Sequence, residues 1–338
     1  MLKMDSNRKV TTCSSTNICI TEVTSQLSFN DILGSWKARW GINRMNFKVS
    51  PGLYRLGNPD SNSPVMVTGN YKMSFDALRK ELTGINTYIL VLDTKGVNVW
   101  CAASKGTFGT NELVNRIKKV NLSQVVAHKN LILPQLSATG VSAHEVQKRS
   151  GFKVIYGPVR AEDIPYFLNN EMEATPEMRR VRFNLHDRTV LTPIEMVGSI
   201  KYSIMIFGVM FLLNLLSIGD FKSIDVIAYL GAVLAGGLVT PILLPWIPGR
   251  AFSLKGWIMG FLWAIAVIVL GNTANFNSAA YLLILPSVSA FYAMNFTGAS
   301  TYTSLSGVVK EMKTAVPLIV CSIAVGTVLL ILSNFVSI

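Results

Sequence analysis

The chain has 338 residues, half of them hydrophobic and only 15% charged, and carries a formal net charge of +12. The apolar share is high for an ordinary soluble domain. The charge is uneven: residues 1–200 hold 25 Lys/Arg and 16 Asp/Glu, whereas residues 201–338 hold 6 and 3. This pattern predicts one water-soluble region and one in lipid, and it speaks against a nucleic-acid binder, because the basic residues are scattered rather than gathered into a stripe.

Residues 1–30 lack an apolar core segment and read as a mobile, Ser/Thr-rich N-terminus without a secretory signal. The four cysteines, Cys13, Cys19, Cys101 and Cys321, form no C-x-x-C pair and no disulfide framework. Free thiols at Cys13 and Cys19 fit a reducing cytoplasm.

Over residues 31–175, apolar β-rich runs alternate with helical patterns. The predicted fold class is α/β with a mostly parallel sheet, a Rossmann-like domain. SPVMVTG (63–69) is a strand, and SFDALRKEL (74–82) is a helix with Ser74 as N-cap. TYILVLD (87–93) is apolar enough for a central strand. VNVWCAASKGTFGT (97–110) follows, and then ELVNRIKKV as a helix capped by Thr110 or Asn111. SQVVAHKNLILP is strand-like. Ser142 with Glu145 makes a capping box for a helix closed by Gly151, and FKVIYGPV (152–159) is a further strand. The strand ends Thr68–Asn70, Asp93–Gly96, Pro134–Gly140 and Gly157–Arg160 are where an open α/β sheet takes its ligand.

Residues 176–198 read as a basic juxtamembrane linker, with Arg179, Arg180, Arg182 and Arg188. Five stretches in 199–338 are long and apolar enough to span a bilayer: roughly 199–218, 224–246, 253–271, 279–298 and 316–337. Basic and non-basic loops alternate, which predicts an inner-membrane protein with its N-terminus and soluble domain in the cytoplasm. The span centres carry almost no ionisable residue, so an anchor fits better than a transporter.

Cys101 admits four readings. It is a core thiol among Val99, Trp100, Ala102 and Ala103; a nucleophile; a zinc ligand; or the single protein ligand of a metal held by a large cofactor. The second needs a base, and His128, His144 and His186 each read as structural or surface groups. The third needs companion ligands that the segment lacks. Lys105 and the start of a short helix at Asn98 favour a thiolate. No G-x-G-x-x-G or Walker A motif occurs, and no Asp-x-His-x-x-Gly segment for a histidine-ligated corrinoid.

Asn98-Val99-Trp100-Cys101-Ala102-Ala103-Ser104-Lys105 resembles the signature Asn-(Val/Ile)-Trp-Cys-Ala-(Ala/Gly)-Gly-Lys of the HgcA family, the membrane-anchored corrinoid proteins of microbial mercury methylation. GSWKARWGINRM (34–45), PGLYRLGNPDSNSPVMVTGNYKMSFD (51–76), ILVLDTKG (89–96), LILPQL (131–136), GPVRAED (157–163) and ATPEMRRVRF (174–183) extend the resemblance. It implies a corrinoid domain followed by five spans, a cobalamin-type corrinoid, and Cys101 as the lower axial ligand of cobalt. Asn98–Lys105 would form the cap helix, with Thr68 and Asn70 as further contacts. The implied activity is methyl transfer to Hg(II). The implied partners are an HgcB-like ferredoxin with iron–sulfur clusters and a methyl-donor protein. Two other readings remain at this point: a corrinoid methyl carrier of one-carbon metabolism with another acceptor, and a non-enzymatic membrane corrinoid-binding protein. Ser104 departs from the signature glycine. It would be strained if that position has a positive φ and harmless if it is helical.

Overall fold

A computed structural model describes residues 9–13, 19–272, 275–300 and 305–336. The chain divides into two compact units, the first ending at Val181 and the second beginning at Arg182, with residues 39–41 grouped with the second.

The first unit is a seven-stranded sheet ordered β1-β2-β3-β5-β4-β6-β7. Its strands are β1 (Lys9–Cys13), β2 (Cys19–Val23), β3 (Gly52–Leu56), β4 (Val65–Gly69), β5 (Thr87–Leu92), β6 (Asn130–Leu133) and β7 (Lys153–Tyr156). Its helices are α1 (Phe29–Arg39), α2 (Lys72–Glu81), α3 (Val99–Ser104), α4 (Thr110–Lys119), α5 (Ala143–Ser150) and α6 (Ile164–Asn169). β4, β5, β6 and β7 are mutually parallel, while β3 pairs antiparallel with β5 and β1 antiparallel with β2. The sheet is therefore mixed, more so than expected.

Two expectations fail at the N-terminal side. Residues 9–13 and 19–23 form strands rather than mobile chain. Cys19 is disulfide-bonded, not a free thiol, and Cys13 is its Cα partner in the hairpin register. The hairpin brings together two positions that are six apart in sequence. With that pairing the reducing-compartment argument lapses, and the side of the membrane rests on loop charges alone.

β4 and β5 are buried along their whole length. Val65 and Val67 face one apolar cluster with Leu90, Leu92, Phe108, Leu113 and Val146, while Met66 faces the other with Ile89, Val91, Phe75 and Phe167. Period-two alternation thus feeds two cores, one under α3–α5 and one under α2 and α6, as in a doubly wound sheet.

Helix starts differ from the sequence expectation. α2 begins at Lys72 with Tyr71 as N-cap, and α4 has Gly109 as N-cap. Ser142 precedes α5 without a side-chain cap; its hydroxyl is within 3.1 Å of His144 Nδ1. Thr110 Oγ1 instead accepts from the Ser142 N–H. Gly151 ends α5 at φ 76, as expected for a left-handed C-cap. In SQVVAHKNLILP only Asn130–Leu133 is strand. His128 Nε2 meets the Ser63 carbonyl and Nδ1 accepts from Asn130 N–H, a structural arrangement.

A buried ion cluster ties α1 to α2. Asp31 pairs with Lys72 (2.6 Å) and Arg79 (2.8 Å), and Asp76 pairs with Lys72 (2.7 Å) and Arg79 (2.8 Å). Arg79 also donates to the carbonyls of Thr24 and Gln26, closing the β2–α1 loop. Burial alone would raise the Asp31 pKa, but its bonds with Lys72 and Ser28 overcome this and hold it at about 2.

The second unit contains α7 (Leu185–Leu191), α8 (Pro193–Leu215), α9 (Ser223–Leu234), α10 (Thr240–Leu243), α11 (Phe252–Gly271), α12 (Asn275–Asn295) and α13 (Leu305–Val336). A wide i→i+5 turn at Ala235–Val239 joins α9 to α10. Five helical stretches among the described residues are long and apolar enough to cross a membrane: Leu185–Leu215, Ser223–Leu243, Phe252–Gly271, Phe276–Gly298 and Ser306–Ser333. These are the five expected stretches. The basic linker at 176–198 is itself largely helical from Leu185 onward. Gly256 and Gly260 let α11 approach α12; a Cβ on either would sit 2.9 Å from Ala290 Cα or 2.7 Å from Pro286 Cα. Small residues at such spacing are the usual means of helix contact in lipid. Asn214 staples the α8–α9 turn through both the N–H and the carbonyl of Phe221.

Candidate functional site

In the sub-sheet β5-β4-β6-β7 the strand that comes first in sequence lies in the middle. The chain moves outward to β5 and then crosses back to β6. The order reverses between β4 and β6, which is where an open α/β sheet leaves a crevice. A crevice of about 310 Å³ opens there. Its walls come from β4 (Met66, Val67, Thr68), from the ends of β6 and β7 (Pro134, Gly157, Pro158), from Ala77 and Leu78 of α2, and from Asn98, Val99 and Trp100. Three of the four expected strand ends therefore line it. The fourth, Asp93–Gly96, builds the loop that delivers α3.

That loop hangs on Asn70. Its side-chain carbonyl accepts from Thr94 N–H (3.1 Å), Thr94 Oγ1 (2.9 Å) and Gly96 N–H (2.9 Å), and its amide donates to Asp93 (3.2 Å). The Thr94 hydroxyl has one proton, which it shares between Asn70 and the Val97 carbonyl at 2.7 Å. Asn70 is 3% exposed. Its polar atoms are engaged in holding the loop, which makes it a positioning residue; Thr68 stands in the crevice wall. Gly96 takes φ 76, and a Cβ there would meet the Met45 carbonyl at 2.9 Å. Asn70→Ala would leave the Gly96 N–H without an acceptor, while Thr94 keeps the Leu92 carbonyl for its N–H and the Val97 carbonyl for its hydroxyl. The expected loss is about 1–3 kcal/mol, read as earlier unfolding and as faster amide exchange across residues 94–104.

α3 is one and a half turns long and set by its own sequence. Asn98, in extended backbone (ψ 159), accepts the Cys101 N–H on its side chain at 2.9 Å. This is the usual N-cap arrangement. Val99, Ala102 and Ala103 bury one side of the helix. Cys101 is a free, half-buried thiol; Ser104 and Lys105 are exposed. Of the signature residues, Asn98, Val99 and Trp100 wall the crevice, and Cys101 follows directly. Among the described residues no group of three or more His, Cys, Asp or Glu is placed to hold a metal ion. A lone thiol is the donor set for a metal already carrying other ligands, not for a bare ion.

Ser104 is helical, and its hydroxyl donates back to the Trp100 carbonyl at 3.2 Å. The left-handed position is Gly106, at φ 77. The departure from the signature glycine therefore costs the backbone nothing. Ser104→Gly is expected to destabilise α3 by roughly 0.5 kcal/mol, and a gain in thermal stability would contradict this assignment.

Sequence reasoning did not single out Gly140. A Cβ there would lie 2.8 Å from the Ala103 carbonyl and 2.9 Å from its Cα. The residue presses against α3 from a loop 36 positions downstream. Its place at a strand end was the only available signal.

Residues 38–168 match the family of the CO dehydrogenase/acetyl-CoA synthase delta subunit. The match covers the α/β unit from the end of α1 to α6, crevice and α3 included. The acetyl-CoA decarbonylase/synthase complex subunit gamma of Methanopyrus kandleri is 32% identical over 126 residues, 37% of this chain and 27% of that protein. The subunit gamma of Methanothermobacter thermautotrophicus is 31% identical over 123 residues, 36% of this chain and 26% of that one. The corrinoid/iron-sulfur protein large subunit of Moorella thermoacetica is 32% identical over 122 residues, 36% and 27%. The chain thus spans about a quarter of the length of these relatives, and the five apolar helices lie outside the matched segment.

Proposed function

We propose that the α/β unit binds a cobalamin-type corrinoid and that the protein transfers a methyl group from it to Hg(II), giving methylmercury. The observation that carries this reading is a free, half-buried thiol on a capped helix, one residue past Trp100 in the crevice wall and not itself in that wall, within a domain similar to a corrinoid/iron-sulfur protein. At about 310 Å³ the crevice is at the small end for a ligand site and takes only part of a corrinoid, so the rest of the group would extend beyond it.

A bound corrinoid would supply the methyl group and the metal that carries it. The chain's own residues hold the ligand still. Asn98 satisfies the Cys101 N–H, Val99, Ala102 and Ala103 lock α3 into the core, and the Asn70–Thr94 network fixes its entry. Cys101 as an anionic sulfur ligand would push electron density toward the metal, which suits delivery of methyl to an electrophile such as Hg(II). Thr68 and Trp100 would contact the group from the crevice wall. A ferredoxin-like partner of the HgcB kind would return electrons between turnovers, and a separate protein would deliver methyl. The five apolar helices would anchor the protein in the inner membrane, with the α/β unit on the cytoplasmic side as the basic loops suggest.

The relatives' names favour a second reading: a methyl carrier of one-carbon metabolism with another acceptor. Cells with and without this gene, supplied with isotopic Hg(II), separate the two. Labelled methylmercury only when the gene is present supports the first. Purified protein that binds cobalamin while such cells form none points to the second. A purified chain that takes up no cobalamin overturns both.

A further inference from the structure

α1 is an amphipathic helix turned inside out. Phe29, Ile32, Leu33 and Trp36 follow the i, i+3, i+4, i+7 spacing of a core-facing stripe. Yet Phe29 is 76% exposed, Trp36 65%, Ile32 45% and Leu33 37%. The face turned inward consists of Asp31, Gly34 and Ala38. The reason is local: Asp31 is fixed by the Lys72/Arg79 cluster, and Gly34 leaves room for the Phe47 ring. The apolar run continues past the helix with Trp40, Ile42 and Met45, each more than half exposed. A contiguous exposed apolar patch marks a surface that something covers.

Charge narrows what covers it. Between Leu27 and Lys48 the only acidic residue is Asp31, which is locked in its ion pairs, whereas Lys37 and Lys48 are exposed. Tryptophan and phenylalanine on one face beside basic residues is the composition of a helix lying in a membrane–water interface. The family match begins at residue 38, so α1 up to Lys37 falls outside it, as the five apolar helices do. Beyond the shared domain this chain carries membrane-length helices, the strands β1 and β2, and this outward apolar helix.

We propose that α1 lies in the anionic surface of the membrane, with Phe29, Ile32, Leu33 and Trp36 at the level of the headgroup–acyl boundary and Lys37 on lipid phosphates. The inference rests on the membrane-anchored reading of the five helices and adds a second, peripheral attachment to it.

The photo-crosslinker p-benzoylphenylalanine, placed at position 36 or 32 of the full chain, tests this in native membranes. Both positions are exposed, so the core is untouched. Position 209, exposed on α8, serves as a span control, and position 118, exposed on α4, as a solvent control. Lipid adducts at 36, 32 and 209 and none at 118 are the expected result. Adducts at 209 combined with a protein adduct, or none, at 36 overturn the proposal and leave the anchor standing. No adduct at 209 overturns the anchor itself. In nanodiscs the yield at 36 should fall several-fold when phosphatidylglycerol is replaced by phosphatidylcholine, with 209 unchanged. Equal yields at 36 would overturn the anionic-surface assignment.

Discussion

On the proposed reading, in which Cys101 holds the corrinoid metal, replacing Cys101 by alanine is expected to lower methylmercury formation by more than about a hundredfold, since removal of even an outer partner of a metal ligand costs 10–100-fold. The same change should alter the visible spectrum of the cobalamin-loaded protein. The fold should survive. Cys101 contributes its backbone N–H to the Asn98 cap, which alanine retains, and its thiol is only half-buried. Thermal unfolding of the unloaded variant should therefore match the parent. Cys101→His tests the role more finely: it keeps a ligand at the same place but loses the anionic sulfur, so cobalamin binding should return more fully than transfer to Hg(II). An alanine variant with unchanged spectrum and rate would remove Cys101 from the metal.

The second large effect lies away from the crevice. Arg79→Ala removes the donor to Asp31, Asp76 and two loop carbonyls while leaving both carboxylates buried. Breaking a buried pair from one side costs about 3–5 kcal/mol, so the first unit should unfold at markedly lower denaturant. Acid behaviour gives an independent reading. The Asp31 pKa is held at about 2 in the folded chain against 3.8 ordinarily, so its contribution is fully present above about pH 4 and is lost as pH falls towards 2. Integrated, it amounts to about 2 kcal/mol at neutral pH. Asp31→Asn should therefore flatten the loss of stability between about pH 4 and pH 2, as measured by amide exchange in α1 and α2. An unchanged acid profile would show that other carboxylates carry it.

The legible part of this protein was local. Alternating apolar runs marked β4 and β5, because a strand buried on both faces must be apolar throughout. The spans declared themselves by length and hydropathy. The N-cap of α3 and the closing Gly151 are read directly from residue type. Strand ends pointed to the crevice because the topological rule needs only strand order and direction.

Other features were hidden for a shared reason: they are contacts between distant residues. β1, β2 and β3 are no shorter than β4, but their partners are set by pairing rather than by pattern. The same hairpin pairing turned an apparent free thiol at Cys19 into half of a disulfide. Asn70 was expected at the ligand, but Thr94 and Gly96 claim its carbonyl from 24 and 26 residues away.

By itself the sequence determined where apolar surface occurs, which helices are long enough to cross a bilayer, and that one cysteine stands in a framed, partnerless segment. These follow from composition and spacing along the chain, which burial energetics reads directly. Only the tertiary structure decided which side of α1 is buried, that Ser104 sits in a helical turn while Gly106 takes the left-handed one, and that Thr68, Trp100 and Gly157 share one crevice. Each depends on neighbours brought together by the sheet, and no stretch of chain specifies its neighbours alone.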